Sequence, residues 1–368
     1  MRNSLVVPKN SSSGKLRDLF KFGNVRNSIL KDPGQEVYDY LSEFIDLENE
    51  RTMVLMTKTS FNVYALSDNY FDTLVNFARI NDIQRINKFF EAVNSKLPVE
   101  GLFVGCVETK GDRKARILKK YPWGLSHIYY LFDFILKRIF PKLPITKKIY
   151  FKITGGRNRV ISRTETLGRL YSCGFSVLDE RKINGRMYFV VRKIDNPAFD
   201  EEPSYGPICK MRRFGKNGKI ISVYKFRTMH PFSEYLQQYI YERNKLQEGG
   251  KFKDDFRIST LGKFMRKYWL DELPMIMNLI KGDLKIVGVR PLSKQYLSLY
   301  TDELKEMRQK HKPGLIPPFY ADLPKTLDEI MESELRYLRQ YEKHPIRTDI
   351  KYFFMAFNQI FIKKARSN

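Results

Sequence analysis

Apolar residues recur in short runs whose period changes several times along the chain. Thr52–Thr57 (TMVLMT) and Phe61–Leu66 (FNVYAL) are compact and rich in strand formers, and predict strands. Over Ile83–Leu97 the period lengthens. Ile83, Ile86, Phe90, Val93 and Leu97 then fall on one face, which predicts a helix. Leu102–Val107 (LFVGCV) predicts a buried strand and Lys148–Thr154 (KIYFKIT) another. Thr164–Cys173 predicts a helix stopped by Gly174. Phe175–Asp179 and Met187–Lys193 flank Asn184-Gly185, the signal of an antiparallel hairpin. Strands alternating with helices and closed by a hairpin give an open α/β sheet over residues 46–195. Residues 1–45, polar and basic around Pro33-Gly34, read as an arm with a short helix.

The stretch Asp195–Ser204 (DNPAFDEEPS) is acidic and proline-bearing, and its residues 196–204 read as a linker to a second domain over 205–368. That domain has a different texture. A glycine-punctuated basic loop, Arg213-Phe-Gly215-Lys-Asn-Gly218-Lys219, precedes a strand, ISVY, that ends in Lys225-Phe-Arg227-Thr228-Met229. Further on, Arg266-Lys-Tyr-Trp-Leu-Asp271-Glu272-Leu-Pro274 opens a short helix, with Pro274 in its first turn and Gly282 at its end. Asp271 and Glu272 then sit at the positive end of that helix dipole. Leu284–Val289 predicts a short strand delivering Arg290, and Asp328–Tyr341 an amphipathic helix. Acidic residues at a helix start are commonly plain caps. Here two adjacent carboxylates lie among Lys225, Arg227, Arg257, Arg266 and Arg290, a set suited to phosphoryl transfer. One carboxylate can attack phosphorus, the other can bind a metal or move a proton, and the cations offset developing charge.

Charge narrows the field. The 368 residues carry 66 Lys+Arg against 41 Asp+Glu, a formal net charge of +25, which calls for an anionic partner. Nucleic acid, an acidic membrane surface and a phosphorylated substrate all qualify. No nucleic-acid-binding module or concentrated basic helix is present, so nucleic acid is not the expected partner. Three widely spaced cysteines, Cys106, Cys173 and Cys209, form neither a disulfide framework nor a zinc pattern and suit a reducing compartment. The first residues lack the apolar core of a signal peptide. No window reaches the roughly 18 apolar residues of a membrane-spanning helix, so a protein lying on or dipping into a membrane stays open while a simple spanning one does not.

Three segments, KFRTM, DDFRISTLGKFMRKYWLDELPMIMNLIKGDLKIVGVRPL and KPGL, resemble the bacterial sugar transferase family, the monotopic phosphoglycosyl transferases, over about Tyr205 to Leu315. The resemblance implies an α+β catalytic domain that moves a sugar-1-phosphate from a UDP-sugar to a polyprenyl phosphate, usually undecaprenyl phosphate, with Mg2+. It implies the start of capsule, O-antigen or exopolysaccharide assembly at the cytoplasmic face of the bacterial inner membrane. By it, Asp271 is the nucleophile that forms a phosphosugar-aspartate and releases UMP. Glu272 assists through Mg2+ or proton handling, so the metal falls to Asp271 and Glu272. Lys225, Arg227, Arg266 and Arg290 match the family's basic positions. The first domain resembles, more faintly, the C-terminal half of class I methyltransferases, in Asn87–Val107 and GRLYSCGFSVLDE. No glycine-rich cofactor loop lies between residues 1 and 80, which implies a scaffold or regulatory role.

The chain departs from the family in three ways. Met275 stands where Gln is common and Val289 where Pro is common, changes near the site that bear on substrate choice. The hydrophobic helix-break-helix that precedes the family's core is replaced by a hairpin and the acidic linker. Two segments are candidate replacements. His127–Pro144 (HIYYLFDFILKRIFPKLP) has a broad apolar arc, and Ile350–Lys364 an aromatic stripe. Each reads first as a core helix and second as an interfacial helix on an anionic membrane. Arg157, Arg159 and Arg163 read as a solvated basic loop, with an anion site as the alternative. A catalytically silent family member and a basic nucleic-acid-binding protein remain the other functional readings, and the sugar and the oligomeric state are not specified by the sequence.

Overall fold

The computed structural model describes residues 29–30, 33–198, 205–237, 239–240 and 255–362. The arm up to residue 28, residues 199–204 of the acidic stretch and Lys363-Lys364 at the end of the aromatic stripe lie outside the described residues. The chain divides into two compact units, Met1–Asp200 with Glu234–Leu236, and Glu201–Ser233 with Gln237–Asn368.

The first unit is built in the order α1 (Gln35–Ser42), β1 (Thr52–Leu55), α2 (Ser60–Tyr64), β2 (Thr73–Arg79), α3 (Ile86–Lys96), β3 (Leu102–Val107), α4 (Lys110–Lys120), α5 (Leu125–Phe134), α6 (Pro144–Thr154), α7 (Arg163–Ser172), β4 (Phe175–Ile183) and β5 (Arg186–Lys193). Its sheet runs β1-β2-β3-β5-β4, with the first three strands parallel and the β4–β5 hairpin antiparallel at one edge. This is the open α/β sheet the pattern predicts. Asn184 and Gly185 both adopt positive φ (48° and 73°) at the hairpin tip, the backbone a two-residue turn demands. The central strands are buried along nearly their whole length, which is why β2 and β3 read as continuous apolar runs.

Several expectations are corrected. Residues 35–47 are part of this unit's core: Val37, Tyr40 and Leu41 of α1 pack with Val75, Val104 and Val190, so the domain begins before residue 46. Ser60–Tyr64 and Pro144–Thr154 are helices where strands are predicted. In α6 Pro144 occupies the first turn and Gly155 ends the helix at φ 61°, the two signals that outweigh the strand-forming Ile, Tyr and Phe between them. Strand β2 is not anticipated by the pattern at all.

The second unit opens with the hairpin β6 (Ile208–Phe214) and β7 (Ile220–Phe226). Helix α8 (Thr260–Lys267), a 3-10 turn (Leu270–Met275) and α9 (Ile276–Ile280) follow. The parallel pair β8 (Lys285–Val287) and β9 (Gly314–Ile316) encloses α10 (Lys294–Leu297) and α11 (Asp302–Lys310). Helices α12 (Phe319–Asp322), α13 (Leu327–Lys343) and α14 (Pro345–Phe357) complete it. Two small cores result: Ile221, Val223, Met275 and Leu284 under the hairpin, and Val287, Val289, Tyr337, Leu338 and Tyr352 between β8 and the last helices. Met275 and Val289, the two departures from the family pattern, are buried in these cores. No helix among the described residues is long and apolar enough to cross a membrane.

Candidate active site

The site is assembled where β7, α8 and the 3-10 turn meet. Lys225 is the penultimate residue of β7, and the chain beyond the strand, through Thr228, forms the floor for α8. Ser259 caps α8 by accepting from the Gly262 amide at 2.9 Å, while its own amide and hydroxyl donate to the Thr228 carbonyl at 2.9 and 3.1 Å. A Cβ on Gly262 would stand 2.0 Å from that same carbonyl oxygen, so only glycine lets the helix sit this close. One turn on, Arg266 Nε donates to Thr228 Oγ1 at 2.9 Å. Trp269 then takes the left-handed conformation (φ 55°) and swings the chain into the 3-10 turn that carries Asp271 and Glu272. The carboxylates thus lie inside a 3-10 turn, slightly later in the helical segment than the sequence places them.

Asn278 of α9 clips this turn to β7. Fully buried, it accepts from the Tyr224 amide at 3.1 Å and donates to the Ser222 carbonyl at 2.7 Å. Lys225 Nζ reaches Glu272 Oε1 at 2.5 Å, with both side chains mostly shielded. Asp271 takes no ion pair among the described residues. Burial, and then the neighbouring Glu272 charge, push its carboxyl above the ordinary aspartate range, against the pull of Lys225 and Arg266. Arg266 is itself half-buried, and that burial lowers its pKa against the pull of Asp271 and Asp255.

Tyr320 of α12 accepts from Trp269 Nε1 at 3.1 Å, and its phenol lies within electrostatic reach of the dyad. Burial and the charges of Glu272 and Asp271 push that phenol up to about 12, with Arg290 pulling the other way. Arg290 follows β8 and is exposed. Its carbonyl accepts from Arg308, which is buried against Glu334. Gly314 of β9 donates to the Val289 carbonyl at 2.9 Å and has no room for a Cβ against Gly288, a close approach that fixes the strand end before Arg290.

The structure therefore gathers Asp271, Glu272, Lys225 and Arg266, with Arg290 within electrostatic reach through Tyr320. Arg227 lies two residues past Lys225, its Nε on the Gly206 carbonyl at 2.9 Å. Arg257 is placed differently from expectation. It is buried, and its Nε and Nη2 both bind Asp255 (2.9 and 2.7 Å), so much of its charge is answered within its own loop. Tyr320, Asn278 and Thr228 were not singled out from the sequence. In the first unit, Arg159 donates to the Ile83 and Gln84 carbonyls and Arg163 pairs with Glu180, so this stretch forms structural contacts where an anion site was the alternative.

No group of three or more His, Cys, Asp or Glu among the described residues forms a protein-only metal cage. The donor set still fits Mg2+. That ion keeps several waters and is commonly held by one or two carboxylates plus substrate phosphates. Asp271 and Glu272, of which Lys225 occupies only Oε1, supply such a pair.

The sequence profile of the bacterial sugar transferase family matches residues 200–363. The galactosyl transferase CpsE of Streptococcus agalactiae is 32% identical over 177 residues, covering 47% of this chain and 36% of that protein. An undecaprenyl-phosphate galactose phosphotransferase of Salmonella typhimurium is 37% identical over 109 residues (28% and 23%). The UDP-glucose:undecaprenyl-phosphate glucose-1-phosphate transferase of Escherichia coli is 29% identical over 172 residues (44% and 34%). This chain thus matches well under two thirds of each relative's length. Among solved structures, a SAM-dependent methyltransferase from Methanosarcina mazei covers 36% of this chain and 65% of its own, at 18% identity and a TM-score of only 0.24. The residues that match the bacterial sugar transferase family fall in the second unit and include the carboxylate dyad.

Proposed function

We propose that this protein transfers a sugar-1-phosphate from a UDP-sugar to a polyprenyl phosphate, by way of a covalent phosphosugar on Asp271. The observation that carries the reading is the inequality within the dyad. Lys225 clamps Glu272, which leaves Asp271 half-buried, without an ion pair among the described residues and raised in pKa. A desolvated carboxylate is a better nucleophile than a solvated, paired one.

In the first step an Asp271 oxygen attacks the β-phosphorus, and the bond from that phosphorus to the bridging oxygen breaks. UMP leaves with the electron pair. In the second, an oxygen of the polyprenyl phosphate attacks the same phosphorus and the Asp271 carboxylate departs, giving a polyprenyl diphosphate sugar. Lys225 and Arg266 stand beside the dyad where charge builds on the equatorial oxygens. Arg290 is exposed and placed to meet an entering phosphate. Tyr320, whose phenol keeps its proton at neutral pH, is a hydrogen-bond donor within electrostatic reach of the two carboxylates. Mg2+ held by Asp271 and Glu272 would supply charge neutralisation on the diphosphate.

A long-chain acceptor needs an apolar approach. Leu261 and Phe264 of α8 and Tyr268 just past its end are exposed at i, i+3 and i+7, and Leu273, Ile276, Met277 and Ile280 are exposed close to the dyad in sequence. These side chains suit the lipid tail and an anionic membrane at the cytoplasmic face, with the start of a surface polysaccharide as the biological context. The names of the relatives from Salmonella and Escherichia support the undecaprenyl acceptor. Release of UMP from a panel of UDP-sugars, with polyprenyl phosphate in detergent and Mg2+, tests the reading. Turnover with at least one sugar is expected, and near-normal turnover by Asp271→Asn would overturn the mechanism.

A further inference from the structure

Helix α5 of the first unit is built inside out, and α6, which buries Tyr150, also carries apolar residues on its exposed side. Toward the unit, α5 presents polar groups: Ser126 and Asp133 are buried, and Asp133 binds Arg113 at 2.6 and 2.8 Å and Lys137 at 2.9 Å. Just beyond, Arg138 turns inward to Glu165 and to the Val160 carbonyl at 2.9 Å. The apolar residues face outward. Ile128, Phe132 and Leu136 form one exposed row, spaced by four, and Ile145, Ile149 and Ile153 a second on α6. Trp123, at the entry to α5, is 91% exposed. This corrects the reading of His127–Pro144 as a core helix: the core side of the segment is its charged side.

Soluble folds rarely leave rows of this kind uncovered, and such rows mark an interaction surface. Charge selects the occupant. From Lys114 to Thr164 the chain holds eight lysines and five arginines against a single acid, Asp133, which is buried and paired. Lys147, Lys148 and Lys152 are exposed on α6 beside its isoleucine row, and Lys119 and Lys120 are exposed at the end of α4 (Lys110–Lys120). An apolar face bordered by a tryptophan and lysines, with no exposed acid, matches the boundary between headgroups and acyl chains of an anionic bilayer. A second copy of the same surface would set lysines against lysines.

We propose that the outer face of α5 and α6 docks on an anionic lipid bilayer. This deepens the reading above, which needs the protein at a lipid surface, but it rests on the first unit's own side chains. The catalytic unit's exposed rows are a separate feature, and the test is designed to tell the two apart.

Two measurements on the full chain test it. The first is flotation with phosphatidylcholine vesicles, with and without phosphatidylglycerol. The unsubstituted chain is expected to float with the anionic vesicles and to lose most of that binding in high salt. Ile128→Glu with Phe132→Glu, and separately Ile149→Glu, should each cut flotation at least about tenfold. These positions are exposed, so folding is expected to be kept, and unchanged UMP release in detergent would show it. The second uses Trp123 as a reporter. In a Trp269→Phe background it is the sole tryptophan, and its emission should shift to the blue on adding anionic vesicles. Flotation by the Glu variants equal to the parent chain would overturn the proposal, as would a Trp123 spectrum unmoved by anionic vesicles. So would a parent chain that dimerises through this face, with the dimer lost in the Glu variants while flotation is absent. Loss of UMP release in detergent by Asp271→Asn alone, with flotation intact, keeps the two readings separate.

Discussion

Asp133 of the first unit and Asp271 of the second are the same residue type treated in opposite ways. Asp133 is the more deeply buried, yet its carboxyl is held below the ordinary aspartate range, because Arg113 and Lys137 bind it directly. Arg113 also reaches Glu108 at 3.3 Å and Asn158 at 2.8 Å, so the cluster answers its charges within itself. Asp271 is less buried and is pushed up, because the nearest lysine is given to Glu272 and the second carboxylate adds repulsion. A saturated network supports a fold, whereas an unbalanced pair held open by its surroundings is poised for chemistry.

The largest expected effect breaks this comparison at both ends. Asp271→Asn should lower UMP release by about four orders of magnitude or more, with thermal stability unchanged or raised. The sign follows from linkage. A carboxyl with a raised folded pKa contributes stability at low pH that is lost as pH rises through that pKa, so its ionised form at neutral pH is a cost that Asn removes. Asp133→Asn should do the reverse, leaving Arg113 and Lys137 undercompensated and lowering stability by about 3 kcal/mol in chemical denaturation. Next, Gly262→Ala should reduce kcat/KM by about a hundredfold, since the added Cβ must push α8, and with it Arg266, off Thr228. The smaller Ser259→Ala, which removes the cap alone, should cost about 1 kcal/mol of stability in the second unit.

A pH profile sharpens the same contrast. The acid limb of kcat/KM should lie above the range of an ordinary aspartate, because Asp271 must be ionised to attack. Lys225→Met should move that limb further up, since Lys225 favours the ionised form. A limb that stays in place would separate Asp271 from Lys225. The smallest effect on activity is expected from Tyr320→Phe, a several-fold loss in kcat. It removes a donor near the dyad and leaves Trp269 Nε1 unpaired, at a cost of about 1–3 kcal/mol.

Much of this was legible in the sequence where a feature is local. Asn184-Gly185, Pro274 with Gly282, and the Asp271-Glu272 pair each announce themselves within a few residues. The misreadings share a cause. In KIYFKIT the alternation of Ile149, Phe151 and Ile153 has the period of a strand, while Ile145, Ile149 and Ile153 have that of a helix, and Pro144 and Gly155 decide for the helix. The hydrophobic arc of α5 was visible, but not which way it faces. That is set by Arg113 and Glu165, charged partners distant in sequence. Tyr320 and Asn278 were hidden for the same reason. They join the site across 51 and 54 residues through single polar contacts, and one polar residue in an apolar helix leaves no periodic trace.

The central claim is that Asp271 carries the sugar phosphate between two half-reactions. The full chain, Mg2+ and the UDP-sugar that supports turnover, labelled in the β-phosphate, should be mixed without any lipid acceptor, quenched in acid and mapped by peptide mass. The account predicts a burst of UMP close to one equivalent and a phosphosugar adduct on the peptide that contains Asp271. UMP released only when polyprenyl phosphate is added, with no labelled peptide under conditions where turnover is brisk, would contradict it.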